Sequence, residues 1–166
     1  MKNLAKVITA IVLMYTAWSC EPETCSDPVP SMKYNSFRPI SADSFELVYE
    51  FKDCDGNIGL EQGETQPPYD SSSKYYYNLL IDLYYLENGE WLKYEYPEGS
   101  PGLNDRISRL KEDDGDALLE GEIIKKIDET AFNPSLDTVK FSAILVDRDL
   151  NESNAAESDV YVLELD

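Results

Sequence analysis

Apolar residues recur with a period of two along segment 44–52. Phenylalanine, leucine or tyrosine fills every second position from Phe45 to Phe51, and Glu46 and Glu50 fall between them. A period of two places all the apolar side chains on one face of an extended chain, which is typical of a half-buried strand. The pattern therefore predicts a β-strand here.

A second strand signal surrounds the dipeptide Asn88-Gly89. Segments 74–86 and 91–96 on either side are rich in Tyr, Leu and other strand-forming residues. Asn and Gly both tolerate the positive φ angles of a type I′ turn, the turn that matches the twist of a two-stranded ribbon. We predict a β-hairpin that turns at Asn88-Gly89.

Three later segments complete the pattern. Segment 137–147 is nearly apolar on both faces beyond its start, as in a central strand, and segment 159–165 alternates again. The apolar spacing of segment 117–127 suits either a helix or a strand, and the surrounding strands favour a strand. Between the hairpin and this segment, 97–116 is predicted to be a long connection with one helical turn or a short strand.

Together these patterns predict an all-β fold. About seven short strands without a strong helix are typical of an antiparallel two-sheet sandwich of the immunoglobulin or fibronectin type III kind. The chain has 166 residues, and the part from 33 to 166 has the length of a single domain. We expect one sandwich domain over 33–166.

The N-terminal segment 1–19 has the pattern of an export signal. Lys2 and Lys6 precede a short apolar run that ends before Ser19, and the run is shorter than the ~20 residues of a membrane-spanning helix. Cys20 follows directly, and segment 16–20 resembles the bacterial lipobox, which implies acylation of Cys20. The other interpretation is an ordinary secretory signal in which Cys20 is structural.

Acylation would make the membrane a partner through the N-terminal lipid. Segment 20–32, rich in acidic residues, Ser and Pro, is then predicted to be a flexible tether. Cys25 and Cys54 would remain as an even pair in an oxidising compartment. Two interpretations stay open for them, a disulfide or two free thiols.

Charge and composition exclude several function classes. The formal net charge is −19, and loss of Lys2 and Lys6 with the signal would make it −21. Such a surface repels phosphate backbones, so no nucleic-acid partner is expected. The chain has no His, which excludes Ser-His-Asp and Cys-His catalysis and His-containing zinc sites.

Two acidic loops are candidates for a calcium site. Asp53, Asp55 and Asn57 alternate around Gly56, and Asp147 and Asp149 follow a later strand. Calcium prefers oxygen ligands, and neighbouring loops at one end of a sandwich can share an ion. The spacing is not that of an EF-hand. Equally, Asp, Asn and Gly are the residues that build turns without any metal.

Aromatic residues around the predicted hairpin form a second candidate site. Tyr76, Tyr84, Trp91 and Tyr94 would stack on sugars or contact a protein if they were exposed together. In the alternative interpretation half of the aromatic side chains face the core.

Segments 51–60, 77–84, 119–123 and 147–154 resemble small uncharacterised lipoproteins of Bacteroidetes-type envelopes. Segment 147–154 is also similar to the Asp-Arg-x-x-Asn-x-Ser-Asn turn of bacterial immunoglobulin-like domains. The resemblance implies a place in the cell envelope, anchored to the outer membrane, but no activity. We expect a non-enzymatic binding or structural accessory protein whose partner is an envelope protein or glycan. The alternative is a hydrolase that uses paired carboxylates on envelope or extracellular glycans.

Overall fold

The computed structural model describes residues 25–41, 44–110, 118–128 and 136–163. Within them it contains eight β-strands and one short 3₁₀ turn, Lys74–Tyr76. The strands are β1 Ser31–Ser41, β2 Ser44–Asp53, β3 Leu79–Glu87, β4 Glu90–Lys93, β5 Leu119–Asp128, β6 Thr138–Leu145, β7 Ala156–Glu157 and β8 Tyr161–Val162. No helix in these ranges has the length and hydrophobicity needed to cross a membrane.

The strands form two antiparallel sheets, which confirms the predicted sandwich. The first sheet has the order β1-β2-β5. The second has the order β4-β3-β6-β7, and β8 also pairs with β6. Strands β2 and β3 lie in opposite sheets, and so do β4 and β5. The chain therefore passes from one sheet to the other more than once, as in immunoglobulin-type folds.

The core lies between β2 and β6, the central strands of the two sheets. The odd-numbered residues of β2 and β6 point inward, and Tyr49, Phe141 and Leu145 are completely buried. The ring of Phe45 lies 5.8 Å from that of Phe141, which joins the two sheets across the core. Alternation with period two thus produces one buried face in each sheet.

The hairpin prediction is confirmed. Asn88 and Gly89 have φ angles of 52° and 83°, and Glu87 pairs with Glu90 on either side of them. Both turn residues therefore adopt the left-handed conformation that a type I′ turn requires.

Segment 117–127, whose apolar spacing suited either a helix or a strand, forms strand β5 over most of its length. It pairs with β2 over its ten residues, from Leu119 beside Asp53 to Asp128 beside Ser44. Ile127 is 1% exposed and Ile124 is 51% exposed, so the apolar residues do not share the single stripe of an amphipathic helix.

The predicted tether, 20–32, is too long at its C-terminal end. Strand β1 already begins at Ser31, and Met32 is buried in the core. The backbone N–H of Met32 donates to the side chain of Asn154, whose amide in turn donates to the Met32 carbonyl. The domain therefore begins before residue 33, because contacts distant in sequence order this segment.

Other boundaries also differ from the prediction. Residues 74–76 form the 3₁₀ turn, so β3 starts only at Leu79. At the C-terminal end, β8 covers Tyr161–Val162 of the predicted strand 159–165, whose last two residues lie outside the described ranges, and β7 precedes it. The signal segment 1–19 and Cys20 lie outside the described residues.

Candidate functional site

The two acidic loops meet at one pole of the sandwich. Strands β2 and β6 both end there, and the loops that follow them are joined by a bridge between Ile58 and Asp147. Asn78, just before β3, accepts the backbone N–H of Val146 at 2.8 Å. The pole is thus formed by strand ends of both sheets, and we call Asp53, Asp55, Asn57, Asp147 and Asp149 the acidic pole.

Asn57 occupies the centre of the acidic pole. Its backbone N–H donates to Asp53 Oδ2 at 2.8 Å. Its side-chain Nδ2 donates both to Asp55 Oδ2, at 3.0 Å, and to Asp149 Oδ2, at 3.2 Å. One residue thereby holds three carboxylates from two loops around itself.

Asp53 is the most unusual member of the acidic pole, because its side chain is 0% exposed. Its Oδ1 atom is buried and has no hydrogen-bond partner. Burial raises its pKa to about 6, against the effect of the Asn57 N–H bond, and the nearby carboxyls of Asp55 and Asp147 raise it further. A buried acid with an unused oxygen is costly unless a proton or another cation satisfies it.

Asp147 builds the turn that follows β6. Its Oδ1 accepts the backbone N–H of Asn151 at 2.8 Å, and its Oδ2 accepts the Asn151 side-chain amide at 2.7 Å. Asp147 is 2% exposed. Two residues after Asn151, Ser153 Oγ accepts the N–H of Leu145. The polar residues of segment 147–154 therefore satisfy the backbone groups that the end of β6 leaves open.

Arg148 does not neutralise the acidic pole. Its guanidinium forms a two-pronged ion pair with Glu64 and also donates to the carbonyl of Gly59. The Arg148 carbonyl accepts the hydroxyl of Tyr69 at 2.5 Å. The ion pair with Glu64 lowers the pKa of the Glu64 carboxyl. Arg148 thus ties the long loop between β2 and β3 to the turn after β6.

Replacement of Arg148 by Lys is expected to destabilise the protein by about 1 kcal/mol, because an ammonium cannot form the two-pronged bond of a guanidinium. Urea unfolding at neutral pH measures the change. Lys74→Ala removes the highly exposed Lys74–Glu152 pair and is the control, with no measurable change expected. Equal effects of the two variants would contradict a special role for Arg148.

The acidic pole is not a preformed cage of carboxylates. Across the described ranges, no three Asp, Glu, Cys or His side chains come close enough together to hold a metal ion. Asn57 is a shared hydrogen-bond partner of Asp53, Asp55 and Asp149. Both carboxylate oxygens of Asp147, in contrast, accept hydrogen bonds from Asn151. Any cation would therefore need neutral oxygens in addition to these acids.

A disulfide joins Cys25 to Cys54 at this same pole, with the two Cα atoms 5.2 Å apart. Cys54 stands between Asp53 and Asp55 at the end of β2. The chain before β1 is therefore attached beside the acidic loops, within the segment that was predicted to be a flexible tether.

The predicted aromatic surface is divided among three places. Tyr84 and Trp91 lie together, with the ammonium of Lys140 at 5.6 Å and 5.2 Å from their ring centres. Tyr94 packs edge-on against Tyr85 and Tyr96 at the margin of the core. Tyr76 lies in the 3₁₀ turn beside Arg106. Only Tyr84 and Trp91 form a common surface.

A cavity of about 610 Å³ lies against the first sheet. Its lining includes Glu50, Lys52, Glu120 and Glu122 but not Asp53. The carboxyl with the strongly raised pKa is therefore sealed from this cavity. No protein-family model, curated protein or solved structure matches the chain.

Sequence reasoning missed the Arg148–Glu64 pair and the attachment of Met32 by Asn154. The first joins residues 84 positions apart, the second residues 122 positions apart. A local pattern carries no signal for such pairs. The one available hint was the density of Asn and Ser after β6, which indicates a turn built from side-chain hydrogen bonds.

Proposed function

We propose that the protein is a non-enzymatic, lipid-anchored module of a bacterial cell envelope, held in the outer membrane through Cys20. Its role is to bind or support another envelope component, either a protein or a glycan. The attachment of the N-terminal segment to one pole of the sandwich is the observation that carries this proposal.

The disulfide supports the proposal in two ways. A stable disulfide is typical of exported proteins, since cytoplasmic thiols are kept reduced. It also limits the reach of the anchor. Cys25 lies five positions after Cys20, and a fully extended chain of that length spans at most about 18 Å. The acidic pole would therefore stay close to the membrane surface.

The opposite pole is then directed away from the membrane. Strand β3 runs from Leu79, beside the acidic pole, to the hairpin at Asn88-Gly89. Trp91 pairs with Leu86, which lies seven residues after Leu79 on β3. The distance from Leu79 to Leu86 along the strand is about 24 Å. Trp91 is 36% exposed and Leu86 is 39% exposed. We therefore assign partner contact to this end, where Trp91, Leu86, Tyr84 and Lys140 form an aromatic and cationic surface.

Replacement of Cys20 by Ser is expected to move the protein from the membrane fraction to the soluble envelope fraction, because no acyl chain then holds it. Cell fractionation followed by immunoblotting measures the shift. The unchanged domain provides an internal check, since the melting temperature of the purified variant should equal that of the wild type. Retention in the membrane fraction would contradict lipid anchoring.

The choice of partner surface is tested separately by Trp91→Ala. This variant should remain in the membrane fraction but lose most of the material recovered with the wild-type protein in a pull-down from solubilised envelopes. Tyr76→Ala removes an aromatic residue elsewhere on the domain and is the control. An unchanged set of recovered molecules with Trp91→Ala would exclude this surface, and analysis of that set separates protein from glycan.

A further inference from the structure

Strand β4 is shorter than its neighbour β3, and a small cavity lies where β4 ends. β4 pairs only with the C-terminal half of β3. The loop 97–105 runs beside the N-terminal half, where Asn104 Oδ1 accepts the N–H of Ile81 at 2.8 Å and Asp105 forms a bridge with Leu79. The end of β4 and this loop, both held by β3, border a cavity of about 220 Å³.

The walls of this cavity carry both donors and acceptors of hydrogen bonds. Asp82 and Lys93 form one side, and their carboxylate and ammonium groups are 2.8 Å apart. Asn104 and Ser100 line the cavity from the loop. Within the described ranges, Oδ1 of Asn104 is bonded to Ile81, whereas its NH2 group has no hydrogen-bond partner. The cavity is therefore lined by polar groups that have bonding capacity left for a ligand.

Two aromatic side chains adjoin the cavity on the outer face of the second sheet. Side chains alternate between the two faces of a strand, so Asp82 and Tyr84 share the face opposite to the buried Leu83. Tyr84 pairs directly with Lys93, and Trp91 lies two residues before Lys93 on the same face of β4. The polar cavity and the aromatic surface are thus neighbours.

We propose that this cavity binds one sugar ring of a glycan. Every sugar hydroxyl both donates and accepts hydrogen bonds, so two neighbouring hydroxyls match the adjacent carboxylate of Asp82 and ammonium of Lys93. The volume, about 220 Å³, is below the ~300–1,000 Å³ of sites for drug-sized ligands and suits a single ring. Tyr84 and Trp91 provide aromatic surface for the apolar faces of sugars beside it.

A glycan fits this cavity better than a side chain of a protein partner does. An apolar side chain would cover Asp82, Lys93 and Asn104 without replacing the hydrogen bonds that they make with water, which costs free energy. This inference rests on the proposed binding role, and it selects the glycan from the two kinds of partner.

Titration of the full chain with single sugars, followed by NMR, tests the proposal. The probes are glucose, galactose, mannose, N-acetylglucosamine and glucuronic acid, each raised to about 100 mM because weak, millimolar binding corresponds to only about 4 kcal/mol. At least one sugar should shift the backbone amide signals of segments 93–96 and 100–104, and the shifts should saturate.

Two isosteric variants test the polar walls. Asn104→Asp keeps the oxygen that accepts the Ile81 N–H and removes only the NH2 donor. Asp82→Asn removes the charge. Each variant should raise the dissociation constant of the bound sugar about tenfold, because a hydrogen bond to the ligand is lost. Asp128→Asn removes an exposed carboxylate, paired with Lys126 on the first sheet, and should leave the dissociation constant unchanged. Melting temperatures confirm that the variants fold.

The proposal is overturned if none of the five sugars shifts these signals. It is also overturned if Asp82→Asn and Asn104→Asp both bind the sugar as tightly as the wild type. Its failure differs from that of the proposed partner surface. If Trp91→Ala loses a protein in the pull-down while no sugar binds, the partner surface stands and the sugar site is refuted. If a sugar binds in the cavity while Trp91→Ala recovers every molecule, only the partner surface is refuted.

Discussion

Replacement of both Cys25 and Cys54 by Ser is expected to lower the free energy of unfolding by about 3 to 4 kcal/mol. The disulfide closes a loop with a sequence separation of 29, and in the loop-entropy model a loop of this length restricts the unfolded chain by that amount. The effect is a large fraction of the 5–15 kcal/mol that typically stabilises a domain.

Urea unfolding of the purified protein measures the loss, and wild type in excess reductant should unfold at the same urea concentration as the double variant. Cys20→Ser makes the same chemical replacement outside the disulfide and should leave the unfolding free energy unchanged. A double variant as stable as the wild type would show that the disulfide does not restrict the unfolded chain.

The disulfide also illustrates what a sequence can predict. Cysteine number and export signal singled out Cys25 and Cys54 as a pair, but free thiols remained equally consistent with the sequence. Two sulfur atoms bond only when the backbone brings their Cα atoms within about 7 Å. That distance depends on how the leader crosses the end of β2, which no local pattern contains.

Strands that are buried on one face were predictable because such burial requires an apolar residue at every second position. Segment 44–52 alternates, and the structure extends the strand by one residue to Asp53. The Asn88-Gly89 turn was predictable because few residues tolerate positive φ angles. In each case a local requirement of the backbone or of one face determines the choice of residues.

Strands held by distant partners were not predictable in this way. Strand β1 bends at register shifts near Tyr34 and Pro39, which interrupts its alternation. Strands β7 and β8 have two residues each, too few for any period to be visible. Their positions depend on pairing with β6, which is a tertiary effect.

The location of the candidate site was predictable from the sequence, but the hydrogen bonds among its side chains were not. Two acidic loops after β2 and β6 fall at one pole because both strands end there, which follows from topology. The roles within the pole do not follow from topology. Asp147 and Asp149 are two positions apart, yet Asp147 closes its own turn while Asp149 contacts Asn57.

Stability is expected to decrease as the pH rises from about 4 to about 6, by about 3 kcal/mol from Asp53 alone. Burial raises the pKa of the folded-state Asp53 from 3.8 to about 6, so the folded protein binds a proton that the unfolded chain has released. This contribution is complete below pH 4, where both states are protonated, and is lost above pH 6.

Asp53→Asn isolates this contribution, because the neutral amide imitates the protonated acid and Asn57 N–H can still donate to its oxygen. The variant should therefore be as stable as the wild type at pH 4 and more stable by up to about 3 kcal/mol at pH 8. Urea unfolding of both proteins across this pH range measures the difference. A difference that does not change with pH would refute the raised pKa of Asp53.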